Sequence, residues 1–485
     1  MRLLSRHLRR TTKLGGMALA LLVGLGLGRL QDRPPIWCAV IVIGLYVGFW
    51  LWHKPGLGYV CVLLLCLAAG TERGSNYAQQ LGLYTPYATH KATFTVSALT
   101  DAVYGNNSQL SFDANQVITE EGTTLVGKIA VSGFGENAIF QGDVVEVTGK
   151  LRPASGSYQA RLSYAQLDTL GHHQSLVNEL RRRFGAGIES ALPEPAAPFA
   201  LGLLIGQRAT LPDTVKQDLL MVGLTHIIAV SGYNLTIILQ ASKNLFARRS
   251  KRLSVGFSIF LIGIFLLITG NSASIIRAAI VSMLSIVTSY YGRNIKPLNL
   301  ILLAAAVTAW WQPSYVWGDM SWYLSFLAFY GVIVLAPLIE PRLPAKLRER
   351  MLIKVAIESV CAEVLTLPIV LFVFGQMSRV ALIGNLIIAV VVPIAMLFSL
   401  IAGLAGMLLP QLAGWISWPA ALVLTYMLDT AHVLASLPHV FVEGIGLSLQ
   451  QMLTLYMLII AVTLALWFKM KAKSAIITDI NHLQS

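Results

Sequence analysis

Three polar residues interrupt one apolar stretch, THIIAVSGYNL: His226, Ser231 and Asn234. A polar side chain in hydrocarbon is costly, and it marks either function or a hydrogen bond between helices. On a helix Ser231 and Asn234 share a face, while His226 aligns with Tyr233. Ser231-Gly232 is a place where a helix can break and turn backbone amides toward a phosphate. A Ser–His hydrolase is the competing chemistry. The two residues are five apart, about 140° around a helix, and AVSG is not a nucleophile elbow. Arg277, Glu358 and Glu363 also fall inside apolar runs. They fit either a wet path or a structural ion pair. For a polyanion Arg277 is the favourable one, because carboxylates repel phosphate unless paired or protonated.

Other chemistries find little support. The cysteines Cys38, Cys61, Cys66 and Cys361 lie in or beside apolar runs without metal-ligand spacing. They read as small core residues, and no metal or cofactor is expected. Gly122 to Lys128 matches G-x-x-x-x-G-K, but Ile129 replaces the required Ser or Thr and no helical pattern follows. It reads as a turn between strands. Any energy for transport must come from elsewhere, and the chain is not expected to be an enzyme.

The elements that hold these residues are mostly apolar. Of 485 residues, 55% are hydrophobic and 12% charged, with mean hydropathy +0.67. Soluble proteins carry roughly 25% charged residues. About 20 apolar residues cross a bilayer as a helix. Runs occur at 14–30, 36–52, 58–71, 224–245, 253–270, 271–290, 297–312, 318–339, 353–374, 379–408, 412–436 and 451–468. The run at 379–408 is broken at Pro393 and reads as two half-spans or a re-entrant element. The basic N-terminus with a long apolar run reads as a first span, not a cleaved signal.

Charge parity tests the topology. With the N-terminus cytoplasmic, alternation places Arg248 to Arg252, Arg293 and Lys296, Arg342 to Lys354, and Lys469 to Lys473 inside. The positive-inside rule asks for that arrangement. The expectation is about twelve spans with both termini in the cytoplasm. The net charge of +13 reads first as topology.

Residues 89–170 break the pattern. Alternation such as ATFTV and DVVEVT, with Gly-rich turns, predicts a small all-β domain of five or six strands on the external face. Its size suits an oligonucleotide-binding (OB) type barrel, and other small barrels share the pattern. Between His90 and Leu170 it holds five basic and eight acidic residues, net −3. Phe94, Tyr104, Phe134, Phe140, Tyr158 and Tyr164 are stacking or core aromatics. Residues 173–222, broken by prolines, read as amphipathic interfacial helices. On the external side Lys150, Arg152, Arg161, Arg181, Arg182, Arg183, Arg208 and Lys216 form a basic funnel for a phosphate backbone, or snorkel to headgroups. Gly24/Gly28, Gly44/Gly48 and Gly202/Gly206 are spaced for close helix packing.

Four ordered blocks stand out. The first is ALGLLIGQRATLPDTVKQDLLMVGLTHIIAVSGYNLTIIL, from Ala200 to Leu239. The others are Ser274 to Ala279 followed by Tyr291-Gly292-Arg293, then Gln312 to Ala328, then Gly384-Asn385-Leu386 with Pro393. Together they resemble the ComEC family of DNA-uptake proteins. The family usually continues differently after the Ser-Gly, where this chain has Tyr233. No HxHxDH cluster is present, so nuclease activity of the family's metallo-β-lactamase-like domain is not expected here.

The resemblance implies a polytopic α-helical membrane protein with an inserted OB-like domain. Its parts would be N-terminal transmembrane helices at 1–72, the β domain at 89–170, interfacial helices at 173–222, a channel domain at 223–470 and a tail at 471–485. It implies a cytoplasmic-membrane channel for single-stranded DNA, its path lined by His226, Ser231, Gly232, Asn234, Arg277, Trp322, Ser325 and Asn385. Implied partners are single-stranded DNA, membrane lipids, an external DNA receptor, a cytoplasmic translocase ATPase and a separate nuclease. The alternatives are a transporter or flippase for another anionic polymer or lipid, and an intramembrane hydrolase.

Overall fold

A computed structural model describes residues 10–30, 43–44, 47, 55–88, 90–104, 109–136, 138–154, 158–171, 176–207, 210–228, 251–269, 273–292 and 296–483. Helices α1 (Arg10–Gly28) and α2 (Pro55–Gly82) precede strands β1 (Ala92–Ala98), β2 (Val103–Tyr104), β3 (Leu110–Thr119), β4 (Thr124–Leu125), β5 (Ile129–Phe134), β6 (Val144–Gly149), β7 (Leu151–Pro153) and β8 (Ala160–Gly171). Then come α3 (Leu176–Ala191), α4 (Ala196–Ile205), α5 (Asp213–Met221), α6 (Thr225–Ile228), α7 (Lys251–Thr269), α8 (Ala273–Tyr290), α9 (Pro297–Trp311) and α10 (Ser314–Gly318). Next are α11 (Met320–Arg342), α12 (Ala345–Arg348), α13 (Met351–Phe374), β9 (Gln376–Ser378), α14 (Ala381–Ala389), α15 (Val392–Leu408), α16 (Ala413–Ala435), β10 (Phe441–Glu443) and α17 (Leu449–Leu483). Two compact units form, one from Met1–Arg183 with Ile280–Trp322, the other from Phe184–Ala279 with Tyr323–Ser485.

In the first unit α1, α2 and α9 run parallel. Glycines set the α1–α2 spacing: a Cβ on Gly24 would lie 2.2 Å from the Leu67 carbonyl oxygen, and one on Gly70 2.4 Å from that of Leu21. The close packing expected of Gly24/Gly28 is present, with Gly70 and Gly74 opposite. The apolar run of α2 ends near Thr71, but the helix continues to Gly82 through good helix formers such as Glu72, Arg73, Ala78, Gln79 and Gln80.

The strands close into a barrel. β1 pairs antiparallel with β3 and β6, β3 with β5, and β6 with β8, while β5 and β8 pair in parallel. The ring therefore reads β1-β3-β5-β8-β6. Period-2 alternation fills it: Phe94, Val96, Val145, Val147, Leu162 and Leu167 point inward, all under 3% exposed. The Gly122–Lys128 segment is a turn into β5, with Gly122 and Gly127 at positive φ. No helix begins there.

The second unit packs around α4. Residues 196–205 differ from the amphipathic expectation, because all ten are buried. The sequence AAPFALGLLI is apolar on every side, and such a helix belongs in a core. Gly206, expected as a packing glycine, instead ends α4 in the left-handed conformation (φ 82). Gly202 does allow close approach, since a Cβ there would meet Ile228 at 2.3 Å. Helices α14 and α15 meet at a 51° bend. Pro393 sits in the first turn of α15, where its missing N–H costs nothing, yet it cannot extend α14.

Among the described residues three helices are long and apolar enough to cross a membrane: α11, Leu352–Phe374 of α13 and Leu449–Met470 of α17. The bent pair α14–α15 makes a fourth. Along α17 Met457, Leu458 and Phe468 are 60–71% exposed, a surface that lipid covers. The chain is a membrane protein with a β domain. The runs at 36–52 and 224–245 fall largely outside the described residues.

Candidate functional site

The barrel concentrates its free cations in one place. Lys150 ends the β6–β7 connection, Arg152 lies on β7 and Arg161 on β8, all exposed. Arg152 and Arg161 are Cα partners across the β7–β8 ladder. Like charges directly opposite on a sheet repel and lower stability. None of the three has an ion-pair partner among the described residues. Beside them Lys128 bridges Asp113 at 2.5 Å and lies 4.8 Å from the Tyr158 ring.

Three of the barrel's acidic residues are held by backbone amides. Asp101 accepts from the Gln141 N–H at 2.8 Å, Asp143 from the Phe140 N–H at 2.8 Å and Glu136 from the Thr169 N–H at 2.7 Å. These carboxylates tie loops. Glu146 and Asp168 face each other across β6–β8. Asp168 stands about 23 Å along β8 from Arg161 at ~3.3 Å per residue. Of the aromatics, Phe94 is core at 1% exposure, while Tyr104 and Tyr164 are 59% and 70% exposed. Tyr164 adopts a positive φ of 57° beside an irregularity in the β5–β8 register.

The arginine triad is more committed than expected. Arg181 donates from Nη1 to Gln141 Oε1, and Asn178 donates to the Gln141 carbonyl at 2.8 Å. Burial pushes the Arg181 guanidinium below its usual value, and nearby Asp101 opposes that. Arg182 lies 4.9 Å from the Phe140 ring and 3.4 Å from Glu179. Arg183 meets Glu179 at 2.7 Å, and that hydrogen bond holds the carboxyl below its ordinary range. In the second unit Lys216 pairs with Asp213 at 3.1 Å. Arg208 lies outside the described residues.

Also in the second unit, three polar residues converge from separate elements. His226 Nδ1 meets the Gly223 carbonyl at 3.1 Å. A carbonyl only accepts, so Nδ1 carries a proton. Asn385 lies near the same imidazole and donates from Nδ2 to Ser359 Oγ at 3.0 Å. Gly223 and Gly384 permit this approach: a Cβ on Gly223 would lie 2.8 Å from Ala381, and one on Gly384 2.5 Å from Val222. Two of the resembling blocks therefore pack together. Ser359 was not singled out from sequence, where a lone serine in an apolar run gives no signal. On α13 it precedes Glu363 and Thr366 by four and seven residues, giving one polar stripe.

The remaining expected residues scatter. Arg277 on α8 is fully buried. Trp322 donates from its indole to Thr308 Oγ1 at 3.0 Å and from its backbone to Asp319 Oδ1 at 2.9 Å. Ser325 is half-buried on the same helix. Ser231, Gly232 and Asn234 lie outside the described residues. No group of three or more His, Cys, Asp or Glu able to hold a metal occurs among the described residues.

A family model described as competence protein matches residues 203–469, more than half of the chain. The ComE operon protein 3 of Bacillus subtilis (strain 168) is 24% identical over 240 residues, covering 49% of this chain and 30% of that protein. The chain thus matches less than a third of that relative's length. No solved structure matches.

Proposed function

Since this chain belongs to the competence protein family, we propose that it conducts single-stranded DNA across the cytoplasmic membrane during DNA uptake. The observation that carries the reading is the unpaired cluster Lys150, Arg152 and Arg161, held in like-charge opposition on the barrel. Such a surface is relieved by a polyanion. The ring order with its one parallel pair supports reading the barrel as OB-type. Lys150 and Arg152 then fall in the connection from β6 to β8, which includes the short strand β7, a position such folds use for oligonucleotides. The parallel run of α1 and α2 is in keeping with an external barrel after an odd number of spans. The His226–Asn385–Ser359 chain supplies hydrogen-bonding groups within the helical region for a strand in transit.

In this account an external receptor delivers DNA, a cytoplasmic ATPase pulls it and a separate nuclease removes the second strand. Deleting the gene and transforming with added DNA tests the reading. Transformants should disappear and return with the intact gene, but far fewer should return with Arg152→Ala/Arg161→Ala. Undiminished transformation in the deletion strain contradicts it.

A further inference from the structure

Arginine and tryptophan converge where α1 and α9 end beside α2, on the barrel side of the first unit. Arg29 donates from Nη1 to the Trp317 carbonyl at 3.2 Å and lies 6.0 Å from a Trp317 ring. Arg73 donates to the carbonyls of Trp310 and Trp311 at 3.3 and 3.4 Å. The two arginines flank one helix crossing, where a Cβ on Gly28 would meet Gly74 at 2.8 Å, so they stand at one level. Trp311 is 83% exposed and Trp310 43%. At the other end of the same helices Lys13 lies over the Tyr59 ring, 5.8 Å away. Lys13 and Arg29 are about 24 Å apart along α1 at ~1.5 Å per residue. That compares with a hydrocarbon thickness of ~30 Å. The tryptophans and arginines therefore occupy the headgroup level, where tryptophan concentrates in membrane proteins.

From Arg73 a stripe of Asn76 and Gln80 follows one face of α2 at i, i+3 and i+7, and Leu83 lies just past the helix end. With Gln79 these residues line a groove of about 460 Å³. The Asn76 and Gln80 side chains are exposed, with no hydrogen-bond partner among the described residues. The nearest carboxylate in sequence, Glu72, projects about 100° around the helix. The groove thus offers a guanidinium already fixed by two carbonyls, further carboxamide donors and no carboxylate, a combination suited to a phosphodiester.

We propose that this groove binds the phosphate headgroup of a membrane phospholipid, Arg73 engaging the phosphate and Asn76 and Gln80 its oxygens or the glycerol. Continuity with the tryptophan belt selects lipid over DNA as the source of the phosphate. The site also accounts for arginines on the face that the positive-inside rule disfavours.

The full chain is purified, placed in phosphatidylglycerol nanodiscs, extracted gently and weighed by native mass spectrometry. Retained phospholipid is the expected result. Asn76→Ala/Gln80→Ala leaves the Arg73 caps on α9 intact. It should lower retention about tenfold, the effect of two hydrogen bonds, without lowering the melting temperature. Arg73→Lys should weaken retention through loss of the guanidinium fork. Equal retention by the double variant overturns the proposal. So does displacement of the lipid by a single-stranded oligonucleotide, or by inorganic phosphate at millimolar concentration, because the groove would then be a strand or free-anion site.

Discussion

Replacing Lys150, Arg152 and Arg161 together by alanine should weaken DNA binding while stabilising the barrel. Each phosphate contact to single-stranded DNA contributes about 0.7 to the slope of log K against log salt. Losing three contacts should flatten the slope by about 2. Between ~50 and ~200 mM salt, that is about a 20-fold difference in how much affinity the two proteins lose. The stability effect has the opposite sign. Arg152 and Arg161 face each other without a counter-ion, and removing a like-charged cross-strand pair relieves about 0.2–1 kcal/mol. Fluorescence anisotropy of a labelled oligonucleotide on the full chain, titrated at several salt concentrations, reads the first effect. Thermal unfolding reads the second. A slope equal to that of the unsubstituted chain, or a variant that unfolds earlier, refutes the reasoning.

In the second unit Gly406→Ala would put a Cβ 1.9 Å from the Gly187 carbonyl oxygen. It should cost at least about 1–3 kcal/mol and show as a lower melting temperature. Asn385→Ala removes the centre of the His226–Asn385–Ser359 chain and should depress transformation more than Ser359→Ala, which leaves Asn385 its imidazole neighbour; transformation counts compare them. Glu179 has a folded pKa depressed by Arg183. Its contribution is present above the unfolded carboxylate value and is lost as pH falls through the folded one. Melting temperatures followed down through that acidic window should converge for the native chain and Glu179→Gln.

The barrel was legible because period-2 alternation is local: Val145 and Val147 against Glu146 and Thr148 announce a strand with one wet face. Its closure was not, because the β5–β8 pairing joins residues about 30 apart and depends on register. The opposition of Arg152 and Arg161, only nine residues apart, was hidden because it depends on the β7–β8 register. The break before Pro393 was readable, since proline cannot continue a helix. Helix α4 misled, because ten residues too short to span were taken for a surface element. Their all-round apolarity was the better signal. The arginine triad misled differently: Glu179 is close in sequence, but Gln141 and Phe140 reach the triad only through the fold. Ser359 became meaningful only once Asn385 stood beside it.

Following labelled added DNA into cells tests the transport claim most directly. In a strain lacking this gene, nuclease-resistant label should gather outside the cytoplasmic membrane, and none should reach the cytoplasm as a single strand. Single-stranded label inside such cells at the level of the parent strain would contradict the account.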